Sequence, residues 1–160
     1  MRRPLWFIIL VLLGVAVDLL AKTAAFNYLP PPPKPLAIIP EVLHLVQAKN
    51  KGVAFSLLAG YPSLIYAVSV AAIAAMLWIY ARIWRRAARL TILALGLLLV
   101  GASGNLVDRA QLGYVRDFID FVPKLPIVDH WAVFNLADMC IVVGMGLLLI
   151  HEFFLKERTA

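Results

Sequence analysis

Four stretches of this chain are long and apolar enough to cross a hydrocarbon core of about 30 Å, which takes around 20 helical residues at roughly 1.5 Å each. They run from about Leu5 to Tyr28, Pro62 to Ile83, Leu90 to Val107 and Trp131 to Phe153. Of the 160 residues, 63% are hydrophobic and 15% charged, against roughly 45–50% and about 25% in soluble domains. A soluble domain of this length could not hide so much apolar surface, so lipid must be part of its solvent. The expectation is an all-α polytopic membrane protein of four transmembrane helices, forming a single membrane-embedded domain over residues 1–160.

The net charge of +6 does not point to nucleic acid, because the cations gather at the ends of apolar runs. Arg2 and Arg3 precede the first, Arg82, Arg85, Arg86 and Arg89 fill the connector between the second and third, and Lys156 and Arg158 follow the fourth. The positive-inside rule makes these ends cytoplasmic. Both termini are then cytoplasmic, and residues 29–61 and 108–130 face outward. Trp6, Trp78, Trp84 and Trp131 fall near segment ends, as interfacial anchors do. The opening also resembles a secretory signal peptide, but no small-x-small cleavage site follows and Lys22 lies where one should be. A retained span is expected.

The first outer region starts with Pro30 to Pro33, Lys34 and Pro35, a composition that favours an extended polyproline II spacer. Ile38 to Gln47 and Val53 to Leu58 read as short strands around a turn at Lys49-Asn50-Lys51-Gly52. They predict a small extracytoplasmic sheet between spans one and two. The single cysteine, Cys140, excludes an intrachain disulfide and reads as a small buried hydrophobe. Ala137-Asp138-Met139 before it is not a lipid-attachment pattern.

Ionisable groups inside spans cost roughly 2.5–3.5 kcal/mol each at a helix centre, so each needs a reason. Asp18 and Lys22, four apart, share a helix face and can satisfy one another. Gly101-Ala102-Ser103-Gly104-Asn105-Leu106-Val107-Asp108-Arg109 closes the third span with small residues that allow close helix approach. Asn105 and Asp108 can face the same way, and the Arg109 fork suits carbonyls or carboxylates. Asp138 lies about 9 Å inside the start of the fourth span at ~1.5 Å per residue, with no basic residue a turn away. It must be protonated, partnered from elsewhere or facing water. Its candidate partners are Asp117 and Asp120, whose apolar neighbours suggest a segment hugging the membrane surface. Two carboxylates sharing a site cannot easily both ionise, which is the aspartyl protease arrangement. Chemistry alone does not choose between Asp117 and Asp120.

Four blocks, in order, resemble bacterial lipoprotein signal peptidase, also called signal peptidase II. Asp18-Leu19-Leu20-Ala21-Lys22 is similar to the family's Asp-x-x-x-Lys, although many members carry Gln at Leu19. Asn50-Lys51-Gly52-Val53-Ala54-Phe55 is similar to its Asn-x-Gly-x-Ala-Phe. Gly104-Asn105-Leu106-Val107-Asp108-Arg109, followed by Val115-x-Asp117-Phe118-Ile119, resembles its Gly-Asn-x-x-Asp-Arg block. Phe134-Asn135-Leu136-Ala137-Asp138 resembles its Phe-Asn-x-Ala-Asp.

This resemblance, covering nearly the whole chain, implies an aspartic endopeptidase with Asp117 and Asp138 as its catalytic pair. It implies that Asn50, Asn105 and Arg109 position the substrate backbone, and that Asp18, Lys22, Gly52, Asp108 and Asn135 support the site. The implied substrate is a prolipoprotein whose cysteine carries diacylglyceryl, cut just before that cysteine. The implied setting is the bacterial cytoplasmic (inner) membrane, with the site near the outer face. No cofactor and no metal are expected, since His44, His130 and His151 form no ligand spacing. Membrane lipid is an expected partner, nucleic acid is not, and a monomer is expected.

Two other readings start from the same residues. Gly101-Ala102-Ser103-Gly104 looks like the Gly-x-Ser-Gly of rhomboid-type serine proteases, but the histidine in a later span, His151, lies near the opposite end. A small proton-coupled transporter would keep its acids near the midplane. Here Asp108, Asp117, Asp120 and Asp138 gather towards one face.

Overall fold

The computed structural model describes residues 3–52, 60–123 and 131–155. In chain order they form α1 (Arg3–Tyr28), β1 (Leu36–Ile39), β2 (Leu43–Asn50), α2 (Pro62–Ile83), α3 (Arg89–Leu112), β3 (Val115–Phe121) and α4 (Leu136–Ile150), which runs on into a π-helical turn at His151–Leu155. All four helices are long and apolar enough to cross a membrane.

The helix at the centre is α3, which packs against α1, α2 and α4. It buries Ile92, Ala94, Leu95, Leu99 and Val100, whereas the other three turn Leu12, Leu20, Val68 and Val142 outward. Lipid solvates those side chains as well as a core would, so helix association rests on close fit rather than on expelling water. Glycines supply the fit. A Cβ on Gly101 would land on the Ala137 carbonyl oxygen and the Ile141 side chain, and one on Gly144 would lie 2.9 Å from the Ala94 carbonyl oxygen. Gly101→Ala is therefore expected to cost about 1–3 kcal/mol by prising α4 from α3. A Cβ on Gly146 would meet nothing within 4 Å, so that position should accept alanine without loss. Fluorescence-monitored unfolding in detergent compares the two.

The sheet is three-stranded and antiparallel, in the order β1-β2-β3. Its first two strands lie between α1 and α2, where a small sheet is expected, and the third is added from between α3 and α4. The predicted strand at Val53–Leu58 lies outside the described residues. The segment read as surface-hugging is β3, in register with β2 through Ala48↔Asp117, Lys49↔Arg116 and Asn50↔Val115. The expected strand from Ile38 to Gln47 is broken at Pro40-Glu41. There Val42 N–H donates to the Ile39 carbonyl at 3.1 Å and Glu41 takes φ 62°. The proline run is not a plain extended spacer either, because Lys34 N–H closes a turn on the Pro31 carbonyl at 3.4 Å. Gln47 fastens the sheet to α1: its amide donates to the Phe26 and Leu29 carbonyls at 3.1 and 2.7 Å, groups that the end of a helix leaves unsatisfied.

Two helix ends differ from the expected spans, and both matter for the site. Helix α3 continues past Val107 to Leu112, where Gly113 at φ 76° ends it. Asp108 and Arg109 therefore sit within the helix. Helix α4 starts at Leu136 rather than near Trp131, because Phe134 is held as a strand by Ile119. Phe134 N–H donates to the Ile119 carbonyl, and Ile119 N–H donates back to the Phe134 carbonyl. Asp138 is thus in the first turn of α4, not about 9 Å inside it.

Candidate active site

The sheet covers the ends of the bundle where α1 and α3 finish and α2 and α4 begin. A cavity of about 630 Å³ opens there. Asn50 of β2, Asn105 and Arg109 of α3, Asp117 of β3 and Asp138 of α4 all line it. Val68 and Ala72 of α2, with Ile141 and Val142 of α4, give it an apolar flank.

Local chain geometry sets each acid. Asp117 is 2% exposed on β3, and its oxygens accept from Asn135 Nδ2 at 2.6 Å and Asn50 Nδ2 at 3.0 Å. Asp138 belongs to a capping box: Asn135 Oδ1 accepts from Asp138 N–H at 3.0 Å, and Asp138 Oδ2 accepts from Asn135 N–H at 3.2 Å. Its other oxygen accepts from Asn105 Nδ2 at 2.8 Å. Asn135 therefore braces both carboxylates. Burial first, and then the neighbouring Asp138 charge, push the Asp117 carboxyl up to about 6, against the amides of Asn50 and Asn135 and the cation of Lys22.

A fully buried layer lies behind the acids. Lys22 Nζ is 2.7 Å from Asp18 Oδ2 and donates to Asn105 Oδ1 at 2.8 Å. Asn105 Oδ1 also accepts from Asn135 Nδ2 at 3.2 Å. Asp18 Oδ1 accepts from Ala137 N–H at 2.9 Å, placing a carboxylate at the N-terminus of α4, where the helix dipole favours it. Asp18 and Lys22 thus do more than neutralise each other, since between them they hold α4 and the Asn105 amide. Arg109 Nη2 donates to the Gly52 carbonyl at 2.7 Å, and Gly52 N–H donates to Asn50 Oδ1 at 2.9 Å. The Arg109 carbonyl accepts from the Tyr66 hydroxyl. Asp120 faces His44 across β2, 3.7 Å away, and does not line the cavity.

The structure therefore gathers Asp117, Asp138, Asn50, Asn105, Arg109 and Asn135 at one cavity, with Asp18, Lys22, Asp108 and Gly52 joined to it by hydrogen bonds or ion pairs. Two participants escaped the sequence reading. Gln47 gave no signal beyond being polar in a strand. Arg116, bonded to Asp108, could have been found as the cation beside Asp117 and eight residues after a buried acid. Among the described residues no group of three His, Cys, Asp or Glu is placed to hold a metal ion.

A family model described as signal peptidase (SPase) II matches residues 10–154. The chain belongs to the signal peptidase II family. It is 36% identical to a lipoprotein signal peptidase of a Sulfurihydrogenibium species over 98% of this chain and 96% of that one. It is 35% identical to the lipoprotein signal peptidase of Chlorobaculum tepidum over 96% and 98%, respectively. A solved bacterial membrane enzyme shares the fold at TM-score 0.81 and 24% identity, covering 94% of this chain and 92% of that one. Membership makes this a multi-pass membrane peptidase of an aspartic family, and neither the rhomboid nor the carrier reading is favoured.

Proposed function

We propose that this peptidase removes the signal peptide of diacylglyceryl-modified prolipoproteins, cutting just before the lipidated cysteine, with Asp117 and Asp138 as its catalytic pair. The observation that carries the reading is the cavity itself: two carboxylates on different elements, each fixed by asparagine amides, share a space with an apolar flank.

Charge balance supports one shared proton. Lys22, Arg109 and Arg116 face Asp18, Asp108, Asp117 and Asp138, three cations against four acids. The cluster is neutral when the pair holds a single proton. The raised Asp117 is its natural carrier. With that proton on Asp117, Asp138 is left to draw a proton from a water held between the two acids. That water attacks the scissile carbonyl. Asp117 donates to the carbonyl oxygen as charge develops there, and the proton held on Asp138 passes to the leaving nitrogen.

Arg109 and Asn50 are suited to the substrate backbone, since both line the cavity and Arg109 Nε has no acceptor among the described residues. The apolar flank suits the acyl chains, which need not leave the bilayer. Arginines stacked on tryptophans at the end of α2 and just after it, Arg82 on Trp78 and Arg85 on Trp84, support a cytoplasmic assignment for that end. The cavity then faces the outer surface, and a single copy has all the groups needed.

The test is cleavage by the purified protein of one precursor with and without the diacylglyceryl group, with products read by mass spectrometry. Only the modified precursor should be cut, leaving a product that begins at the modified cysteine. Equal cleavage of the unmodified form, or a cut elsewhere, overturns the reading. In the same assay Asp120→Asn should stay within about threefold of wild type, as expected for a change of roughly 0.5 kcal/mol away from the site.

A further inference from the structure

Arg116 enters the mechanism above only as one cation of the cluster, yet most of its hydrogen bonds converge on a single acid. It leaves β3 one residue before Asp117 and is 13% exposed. Its backbone N–H donates to Asp108 Oδ2 at 2.9 Å, Nη2 donates to Oδ1 at 2.7 Å, and Nε lies 3.2 Å from both oxygens. Nη1 donates to Thr23 Oγ1 of α1 at 3.0 Å. Asp108 is fully buried, and a second cation waits beside it: Lys22 Nζ, 3.8 Å from Oδ2. Lys22 is engaged instead with Asp18 and with the carbonyl oxygen of Asn105. Two cations thus flank one buried carboxylate, and the planar guanidinium fork takes it because two parallel N–H groups fit a carboxylate better than one ammonium does.

We propose that Arg116 is a positioning residue that withholds Asp108 from Lys22, so that Lys22 stays on Asn105 and the Asn105 amide stays turned towards Asp138. The proposal rests on Asp117 and Asp138 being the catalytic pair. Without Arg116, Asp108 is a buried charge whose remaining cation is Lys22. Attraction closes the 3.8 Å gap and draws the ammonium off Asn105 Oδ1. The amide, then held at its oxygen by Asn135 alone, can turn that oxygen to Asp138 and replace a hydrogen bond by repulsion. The same shift moves Lys22 within the field around Asp117. The charged groups there are Lys22 and Asp18 from α1, Asp108 and Arg109 from α3, Asp138 from α4, Lys49 beside it on β2, and Arg116 on its own strand. Losing the Arg116 cation also leaves Lys22 and Arg109 against the four acids, so the pair holds its proton more tightly.

The experiment compares wild type with Arg116→Met, Arg116→Lys and the double variant Asp108→Asn/Arg116→Met, scoring kcat, KM, the pH profile and thermal unfolding in detergent. Arg116→Met should lower kcat by about tenfold to a hundredfold, the scale of a small misplacement, with KM little changed. The basic limb of its pH profile should move up. Arg116→Lys, which keeps the charge and loses the fork, should fall between. The double variant removes the acid that competes for Lys22, so it should be more active than Arg116→Met alone. A wild-type kcat and pH profile in Arg116→Met overturns the proposal. So does a double variant no more active than the single, which would leave Arg116 as a mere anchor between β3 and α1. Cleavage by Asp117→Asn or Asp138→Asn would instead sink the catalytic pair, and that outcome is read separately.

Discussion

Asp138→Asn and Asp117→Asn are each expected to lower cleavage of a diacylglyceryl-modified prolipoprotein by about three orders of magnitude, within the range that a positioned acid or base contributes. Each acid has both oxygens engaged by N–H donors: Asn105 and the Asn135 backbone on Asp138, Asn50 and Asn135 on Asp117. An asparagine can accept at one of those places only and presents its own N–H to the other. Some loss of stability accompanies the loss of chemistry, so detergent unfolding of each variant must be recorded beside its cleavage. The pH dependence has a definite sign. Asp117 keeps its proton up to about pH 6, and as the pH rises through that range the pair becomes doubly ionised. kcat/KM should therefore decline above about pH 6, because it reports the free enzyme. In kcat the limb should lie higher, since bound substrate excludes water and disfavours a second charge. A kcat/KM flat across this range, together with a processing-competent Asp138→Asn, would remove the shared-proton mechanism.

The helices were legible because lipid imposes a simple rule on sequence: long apolar runs with cations at one end. The acids were legible for the opposite reason, as charges with no cheap place to go. What escaped was structure whose cause lies in a distant partner. Trp131 to Phe134 is as apolar as the helix it precedes, and its extended form depends on Ile119 across a gap of fifteen residues from Phe134. Nothing local marks Val115–Phe121 as the partner of Leu43–Asn50, because Arg116, Asp117 and Asp120 interrupt its apolar residues while each finds its own contact: Asp108, Asn135 and His44. The choice of Asp117 over Asp120 follows the same logic. By residue chemistry the two are equivalent and the family resemblance alone favoured Asp117; register puts Asp120 against His44 and Asp117 at the cavity beside Asp138.

Lys22→Met is expected to destabilise the folded protein by about 3–5 kcal/mol, the cost of removing one partner from a buried ion pair. Lys22 and Asp108 have no exposure and Asp18 has 1%, so the remaining charges cannot turn to water or reach lipid headgroups. Asp18→Asn alone should be milder, because Lys22 keeps Asp108 within 3.8 Å and the substituted amide oxygen could still accept from Ala137 N–H. The double variant Asp18→Asn/Lys22→Met separates two roles of the lysine. Removing both charges should recover much of the unfolding midpoint lost in Lys22→Met. Cleavage should stay low, because Asn105 Oδ1 loses its charged donor and keeps the longer bond from Asn135, and that amide holds Asp138. Recovery of both stability and cleavage would mean that Lys22 only neutralises Asp18. The Asn105 amide would then be oriented by Asn135 without help from α1, and the link from the buried charges to the catalytic pair would be broken at its first step.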